Sequence, residues 1–219
     1  QLNEQALLLK VCDLADGDAR AAFKNTEFDI RSYKKLKMFI HAEAIGEELL
    51  NDDDVTVFLR FGTDFDNNYY EYEVPLLVTP EGDYNQDIAE DRYDVWPLLN
   101  NIELEFSDLT RTKQQRNRDL VSDPTVSITK RYQIEHGPRN KITVKGNPNL
   151  ANIKSMIIGI RNPKKVNAHD TDDGLAKCVE VWVNELRLTD FDNKGGWATT
   201  GQVNVKLADF ATLNGAADY

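Results

Sequence analysis

The stretch 178–188 constrains the fold more than any other part of the sequence, because its apolar and polar residues alternate. Successive side chains of a β-strand point to opposite faces of the sheet, so residues two apart share a face. The residues predicted to share the buried face are Val179, Val181 and Val183. The apolar pattern resumes at Leu186 and Leu188, one residue out of step, as a β-bulge near Asn184 and Glu185 would produce. We therefore predict that this stretch is the closing strand of an all-β sandwich.

Three segments before it show the same alternation and give clear inward rows. The residues predicted to face the core are Leu36, Met38, Ile40 and Ala42; Val55, Val57, Leu59 and Phe61; and Tyr70, Tyr72, Val74 and Leu76. Residues of the opposite faces, such as His41, Glu71 and Glu73, are predicted to point away from the core, and His41 is expected on a wet face. The polar residues 64–68 lie between two of these strands and predict an antiparallel hairpin.

Shorter patterns complete the predicted fold. The remaining predicted strands lie within residues 6–14, 19–23, 101–109, 126–134, 141–145 and 154–161. A helix is predicted over 109–118 with Ser107 and Asp108 as its cap, and a helical turn over 45–50. Residues 79–93 are predicted to form an extended loop, because they are acidic and have no clear period. Many short strands with one or two short helices indicate an antiparallel two-sheet sandwich of the jelly-roll type.

The charge of the chain limits its partners. Thirty-seven acidic against 26 basic side chains give a formal net charge of −11, which repels phosphate backbones and anionic membrane surfaces. We therefore expect no nucleic-acid partner. The predicted helix is nevertheless basic, and its cations are Arg111, Lys113, Arg116 and Arg118. Such a helix either binds an acidic partner surface or is a solvated or internally ion-paired face, and the sequence leaves both open.

The chain is predicted to consist of two parts. Residues 1–191 form the sandwich, and residues 192–219 follow a flexible joint at Gly195 and Gly196. The second part alternates again, and is either the start of the next unit, such as a membrane barrel strand, or an added edge strand of the sandwich. No run of about 18 apolar residues predicts a transmembrane helix. Because the sequence starts at Gln1 without a signal-like segment, we expect a piece of a longer protein.

The sequence contains no recognisable catalytic constellation. Its histidines, His41, His136 and His169, lie far apart and match no zinc-ligand spacing. No phosphate-binding glycine loop, no nucleophile elbow and no cysteine–histidine arrangement typical of a nucleophile is present. We therefore predict that the protein is not an enzyme and carries no cofactor, with calcium as the one ion to consider.

Calcium is considered because oxygen ligands at alternate loop positions can converge on this ion. The candidate ligands are Asp64, Asp66, Asp170, Asp172 and Asp173. Neither loop matches the twelve-residue calcium loop with its terminal glutamate, so solvated turns are the alternative interpretation.

Aromatic side chains form a second candidate site, a platform on which a sugar ring could stack. Its candidates are Trp96, Tyr69, Tyr93 and Trp182, which otherwise serve as core or edge cover.

The chain has two cysteines, Cys12 and Cys178, and each lies in a strand-like run. If the first and last strands are neighbours, the two thiols can meet and form a disulfide. The alternative is a pair of buried free thiols. The sequence favours neither.

Four sequence segments are informative through their residue identities and not only through their alternation. They are LADGDAR at 14–20, YKKLKMFIHAE at 33–43, WVNELRLTDF at 182–191 and GGWA at 195–198. These strings resemble the SprA/Sov family, the very large outer-membrane translocons of the type IX secretion system, which export proteins and in some bacteria serve gliding. The strand order also resembles galactose-binding-like sandwiches of carbohydrate-binding modules, a likeness of fold that does not fix function.

The first resemblance implies a structural or interaction domain of a giant β-barrel translocon in the outer membrane, exposed on the cell surface or on the periplasmic side. Its partners would be other secretion-system proteins or secreted cargo. The second implies a glycan-binding module as the alternative function. A hydrolase ranks third, because it requires two carboxylates facing each other across a cleft. Neither resemblance supplies catalytic residues at matching positions.

Overall fold

A computed structural model describes residues 6–46, 50–167, 173–192, 200–207 and 211–218. These residues form an antiparallel β-sandwich with two helices, which confirms the predicted all-β class. The strands are β1 (Leu7–Leu14), β2 (Ala19–Phe28), β3 (Tyr33–Ala44), β4 (Thr56–Gly62), β5 (Tyr69–Pro75), β6 (Ile102–Glu105), β7 (Tyr132–His136), β8 (Asn140–Lys145), β9 (Ile153–Arg161), β10 (Lys177–Phe191), β11 (Thr200–Leu207) and β12 (Ala211–Asp218). The helices are α1 (Ala89–Val95) and α2 (Phe106–Ser122).

Two sheets enclose the core. The first has the order β1-β10-β3-β6, and the second has the order β2-β9-β4-β5-β8-β7. In the first sheet β10 lies between β1 and β3, with Val181 opposite Leu9 on one side and Ala42 on the other. The first and closing strands of the sandwich are therefore neighbours, which is the condition under which Cys12 and Cys178 can meet.

The core consists of the inward rows that the alternation predicted. Every residue of the three predicted rows in β3, β4 and β5 and their flanks is buried, as are the three valines of β10. Burial of one such aliphatic or aromatic side chain stabilises the fold by roughly 1.5–3 kcal/mol. The second face of β5 differs from expectation, because Tyr69, Glu71 and Glu73 are also buried. His41, predicted on a wet face, is only 7% exposed.

The predicted bulge in β10 is present. The pairing of β10 with β3 shifts register between Asn184 and Arg187, and Glu185 adopts a positive φ of 55°. After the bulge Leu188 packs against the core. Leu186, predicted to share the buried face, is 45% exposed, because the extra residue turns it out toward the flank of the sandwich.

The helices differ from the prediction. Helix α1 begins within the stretch 79–93, which was predicted to be an extended loop, and ends just beyond it, so that prediction is wrong for this part. Helix α2 begins directly after β6, and its N-cap is Glu105, which makes no side-chain capping bond; the predicted Ser107–Asp108 cap is therefore wrong. One face of α2 packs on the sandwich and buries Phe106, Leu109, Thr112 and Arg116. This tertiary packing, which local sequence does not report, extends the helix in both directions.

Two further segments of the sequence prediction concern the strand before β8 and the end of the chain. The predicted strand 126–134 starts only at Tyr132, although its hairpin with β8 forms as expected. Strands β11 and β12 pair with each other as a separate two-stranded sheet, and the division of the chain after residue 191 stays a prediction. In the described parts of the chain, no helix has the length and apolarity needed to cross a membrane.

A disulfide joins Cys12 to Cys178 across the pairing of β1 with β10, with their Cα atoms 4.0 Å apart. The two cysteines are separated by 166 positions in the sequence. Closing so long a loop stabilises the folded state by about 5 kcal/mol in the chain-entropy model, as an upper value.

We predict that alkylation of the denatured, unreduced protein followed by mass measurement labels no thiol, and that reduction lowers the melting temperature. Two labelled thiols in unreduced protein would contradict the bond.

Candidate interaction site

A network of carboxylate–arginine ion pairs covers the outer face of the second sheet. Glu71 has no exposed surface and lies at its centre. Its Oε1 accepts hydrogen bonds from Arg131 Nη2 at 2.7 Å and from Arg161 Nη2 at 3.1 Å, while its Oε2 accepts from Arg60 Nε at 2.8 Å. The second carboxylate, Glu73, pairs with Arg161 and accepts a bond from the Thr56 hydroxyl at 2.8 Å. Both buried carboxylates are therefore paired with arginines.

Aromatic rings lie beneath these arginines. The guanidinium carbon of Arg60 is 4.1 Å from the ring centre of Tyr69, and that of Arg161 is 4.5 Å from the ring centre of Phe58. Gly159 leaves the space that Phe58 fills, since a Cβ there would lie 2.6 Å from the Phe58 Cζ. Tyr69 is only 3% exposed, so the prediction that its ring is available for sugar stacking is wrong. The arginine that covers it makes this face a packed layer.

The network holds Glu71 in its charged form. Burial alone would raise the pKa of Glu71, but the positive charges of Arg161, Arg131 and Arg60 outweigh burial and lower this pKa below its usual value of 4.5. A carboxylate held ionised in this way is a poor proton donor. It pairs with the partly buried Arg60 and Arg161 and with the more exposed Arg131.

The outer face of the first sheet carries an aromatic row centred on His41. In the pairing of the strands, His41 lies opposite Trp182, and Trp182 lies opposite Leu8. On the other side of His41 the Trp96 ring is tilted over the imidazole, with ring centres 5.7 Å apart. Trp182 is 37% exposed, and Leu8 is also exposed. The structure therefore brings together two of the four predicted platform residues, Trp96 and Trp182.

His41 and Thr79 hold the acidic segment 79–95, which contains α1, against this sheet through hydrogen bonds. The His41 Nδ1 lies 2.6 Å from the Val95 carbonyl oxygen, which can only accept, so Nδ1 carries the proton. The Thr79 hydroxyl donates to the Asp94 carbonyl oxygen at 2.9 Å, and the Thr79 amide donates to Ala42 O at 2.8 Å. These bonds explain why a histidine at an outward position is buried. Tyr93, on the outer side of α1, is 59% exposed and stands apart from the row.

A second histidine joins helix α2 to the hairpin of β7 and β8. His136 Nε2 lies 3.0 Å from Asp108 Oδ2, and its Nδ1 lies 3.2 Å from the Tyr72 hydroxyl. An acid, a histidine and a hydroxyl in a row have the order of a nucleophile relay. Here Tyr72 is 1% exposed and also accepts a bond from the Asn140 amide at 2.8 Å, so no substrate reaches its oxygen. The chain of contacts is structural.

The basic helix is engaged within the domain. Arg116 is 1% exposed and donates to the Gly146 carbonyl oxygen at 2.5 Å. Lys113 donates to the Pro148 carbonyl oxygen at 2.9 Å, and Arg111 pairs with Asp108 at 2.9 Å. Of the two interpretations of this helix, the structure favours an internally bonded face.

The calcium candidates take part in turns. Asp64 Oδ1 accepts the amides of residues 66, 67 and 68, at 2.5 to 3.0 Å, and its Oδ2 accepts the Asn68 side-chain amide at 2.7 Å. Asp173 pairs with the buried Lys177 at 2.8 Å. Asp66 is exposed, while Asp170 and Asp172 lie outside the described residues. No group of ligands that could hold a metal ion occurs among the described residues, and calcium binding stays a prediction.

Removing the Glu71 charge tests the network. We predict that Glu71→Gln lowers the free energy of unfolding by about 3–5 kcal/mol, because it removes the fully buried charge that pairs with the partly buried Arg60 and Arg161. Since the pKa of Glu71 is lowered in the folded state, its contribution is present above pH 4.5 and is lost as the pH falls through the folded-state pKa. Urea unfolding at several pH values should show less acid sensitivity in the variant. Glu135→Gln, an exposed control on the same sheet, should change little; equal effects of both would contradict the network.

Comparison with known proteins identifies the family of the chain. No curated protein matches the chain. The family SprA_N, described as motility related/secretion protein, matches residues 1–219, which is the whole sequence. This agrees with the resemblance that the four strings indicated. The chain therefore belongs to the SprA_N family of motility-related or secretion proteins.

Proposed function

We propose that the chain is a non-enzymatic structural and interaction domain of a giant outer-membrane translocon that exports proteins by type IX secretion and serves gliding motility. The observation that supports this proposal is the family match over all 219 residues. A domain in such a channel shapes the path of the cargo or docks other proteins, and needs stable surfaces for either task.

The buried carboxylates and the buried tyrosine hydroxyl bond to other side chains of the domain, which supports a role without catalysis. The Glu71 and Glu73 carboxylates are paired with arginines, and the Tyr72 hydroxyl is buried beside His136. These groups stabilise the packing of strands and helix, which suits a rigid building block. The domain in this proposal meets the outer membrane through the rest of the full-length protein, and faces either the cell surface or the periplasm. Its partners are other secretion-system proteins or secreted cargo.

Deletion in the full-length protein tests the proposal. We expect that removing residues 1–191 impairs export of cargo, because the domain contributes a surface or a wall to the channel. Secreted cargo is measured in the culture medium, and an immunoblot of the outer membrane checks that the shortened protein still reaches it in normal amount. Normal secretion by a shortened protein that is present in the membrane would contradict the proposal.

Glycan binding is a second candidate, and one observation favours it. Trp182 and Trp96 flank His41 on one outer face, and aromatic rings on a sheet face can stack on sugar rings. We predict that, if this face binds glycans, the chain is retained on a glycan array and Trp182→Ala abolishes retention. Tyr84→Ala, which removes an equally exposed ring in the acidic segment, should not. An array without any retained glycan would contradict this candidate.

A further inference from the structure

One flank of the sandwich is open between the two sheets. Strands β1 and β2 are joined by a tight turn at Gly17 but belong to different sheets, and they diverge from that turn. Between them lies a cavity of about 390 Å³ with Met38, Leu59, Met156 and Ile158 among its lining residues. A second cavity of about 180 Å³ shares Met156 and Leu186 with it. Together they form an apolar groove along the flank.

Large apolar side chains surround the groove without being covered. Leu7 is 42% exposed, Phe28 46% and Leu186 45%. Monomeric proteins rarely leave such groups contiguous, and where they do the patch commonly marks an interaction site. The patch here lies where the bulge turns Leu186 outward, beside Leu7 at the beginning of β1.

The backbone beside the groove indicates what kind of ligand fits. Among the described residues, β2 pairs only with β9, so one edge of this strand, Ala19–Phe28, is free. A free edge offers amides and carbonyls to another extended chain, whose alternate side chains can then enter an adjacent groove. A fatty acyl chain would fill the groove but leave that edge unpaired. The free edge therefore favours a polypeptide.

The charges beside the groove indicate which polypeptides it prefers. Lys24 lines the groove, and the register places it beside Met156, with Lys154 two residues before Met156 on the same strand face. Both lysines are exposed, and neither forms an ion pair within the described residues. A lysine on an edge strand, here Lys24 on β2, discourages indiscriminate pairing, so a partner strand that carries a carboxylate at this point is preferred.

We propose that the groove between β1 and β2 binds an extended segment of a partner polypeptide, which adds to the free edge of β2, inserts alternate apolar side chains and places a carboxylate against Lys24. This inference names a partner class for the interaction domain and rests on the proposed function in that respect. Its test uses the purified chain, so it can fail while the export role holds.

The experiment titrates the isotope-labelled 219-residue chain with a synthetic seven-residue peptide in which valine and threonine alternate between two terminal glutamates. We expect saturable NMR shifts at Ala22, Met156 and Leu186 below about 1 mM peptide. Lys24→Glu should weaken binding by about tenfold, because attraction becomes repulsion, and should improve binding of the same peptide with terminal lysines. Lys34→Glu, an exposed lysine on β3, is the matched control and should bind like the unchanged chain.

Three outcomes would overturn the proposal. They are the absence of shifts at millimolar peptide, shifts confined to residues away from the groove, and equal effects of Lys24→Glu and Lys34→Glu. Decanoate is titrated in parallel. Saturable shifts at the groove residues with decanoate, in the absence of any with the peptide, would assign the groove to an acyl chain and contradict a polypeptide ligand.

Discussion

The position of β10 between β1 and β3 is the constraint on which the rest of the structure depends. Its valines pair with both neighbours and supply the centre of the first sheet, so that the beginning and the end of the sandwich are held side by side. The Cys12–Cys178 disulfide crosses the same pairing. Among the described residues, β1 begins at Leu7, opposite Val183, while β10 continues through its bulge to Phe191, and the flank of the sandwich opens at this end of their pairing.

The core was predictable from the sequence because burial on one face leaves a period of two. That period identified the rows of β3, β4, β5 and β10, and the break in it identified the bulge. The second face of β5 was not predictable in this way, since glutamates at outward positions normally indicate solvent. The missing information was the register that places Arg60 opposite Glu71 and brings Arg161 to the same carboxylate.

The candidate sites were likewise predictable only where local alternation determines the position of a side chain. Sequence reasoning selected Trp96 and Trp182, but the residue between them, His41, was assigned to a wet face, because the acidic segment that covers it follows much later in the chain. Tyr69 failed as a platform residue because an arginine from the neighbouring strand lies over its ring. Positions set by long-range packing were thus missed, whereas those set by local alternation were found. The two outer faces differ accordingly: one is closed by ion pairs, and the other exposes aromatic side chains next to the open flank.

Hydrogen exchange of the backbone amides tests the central claim most directly. If β10 is the strand on which the domain depends, the amides of residues 179–183, which face its two neighbours in alternation, exchange only through global unfolding. Their exchange free energies should equal the free energy of unfolding measured with denaturant under the same conditions. Amides in this stretch that exchange as fast as those of the exposed segment containing α1 would contradict the account.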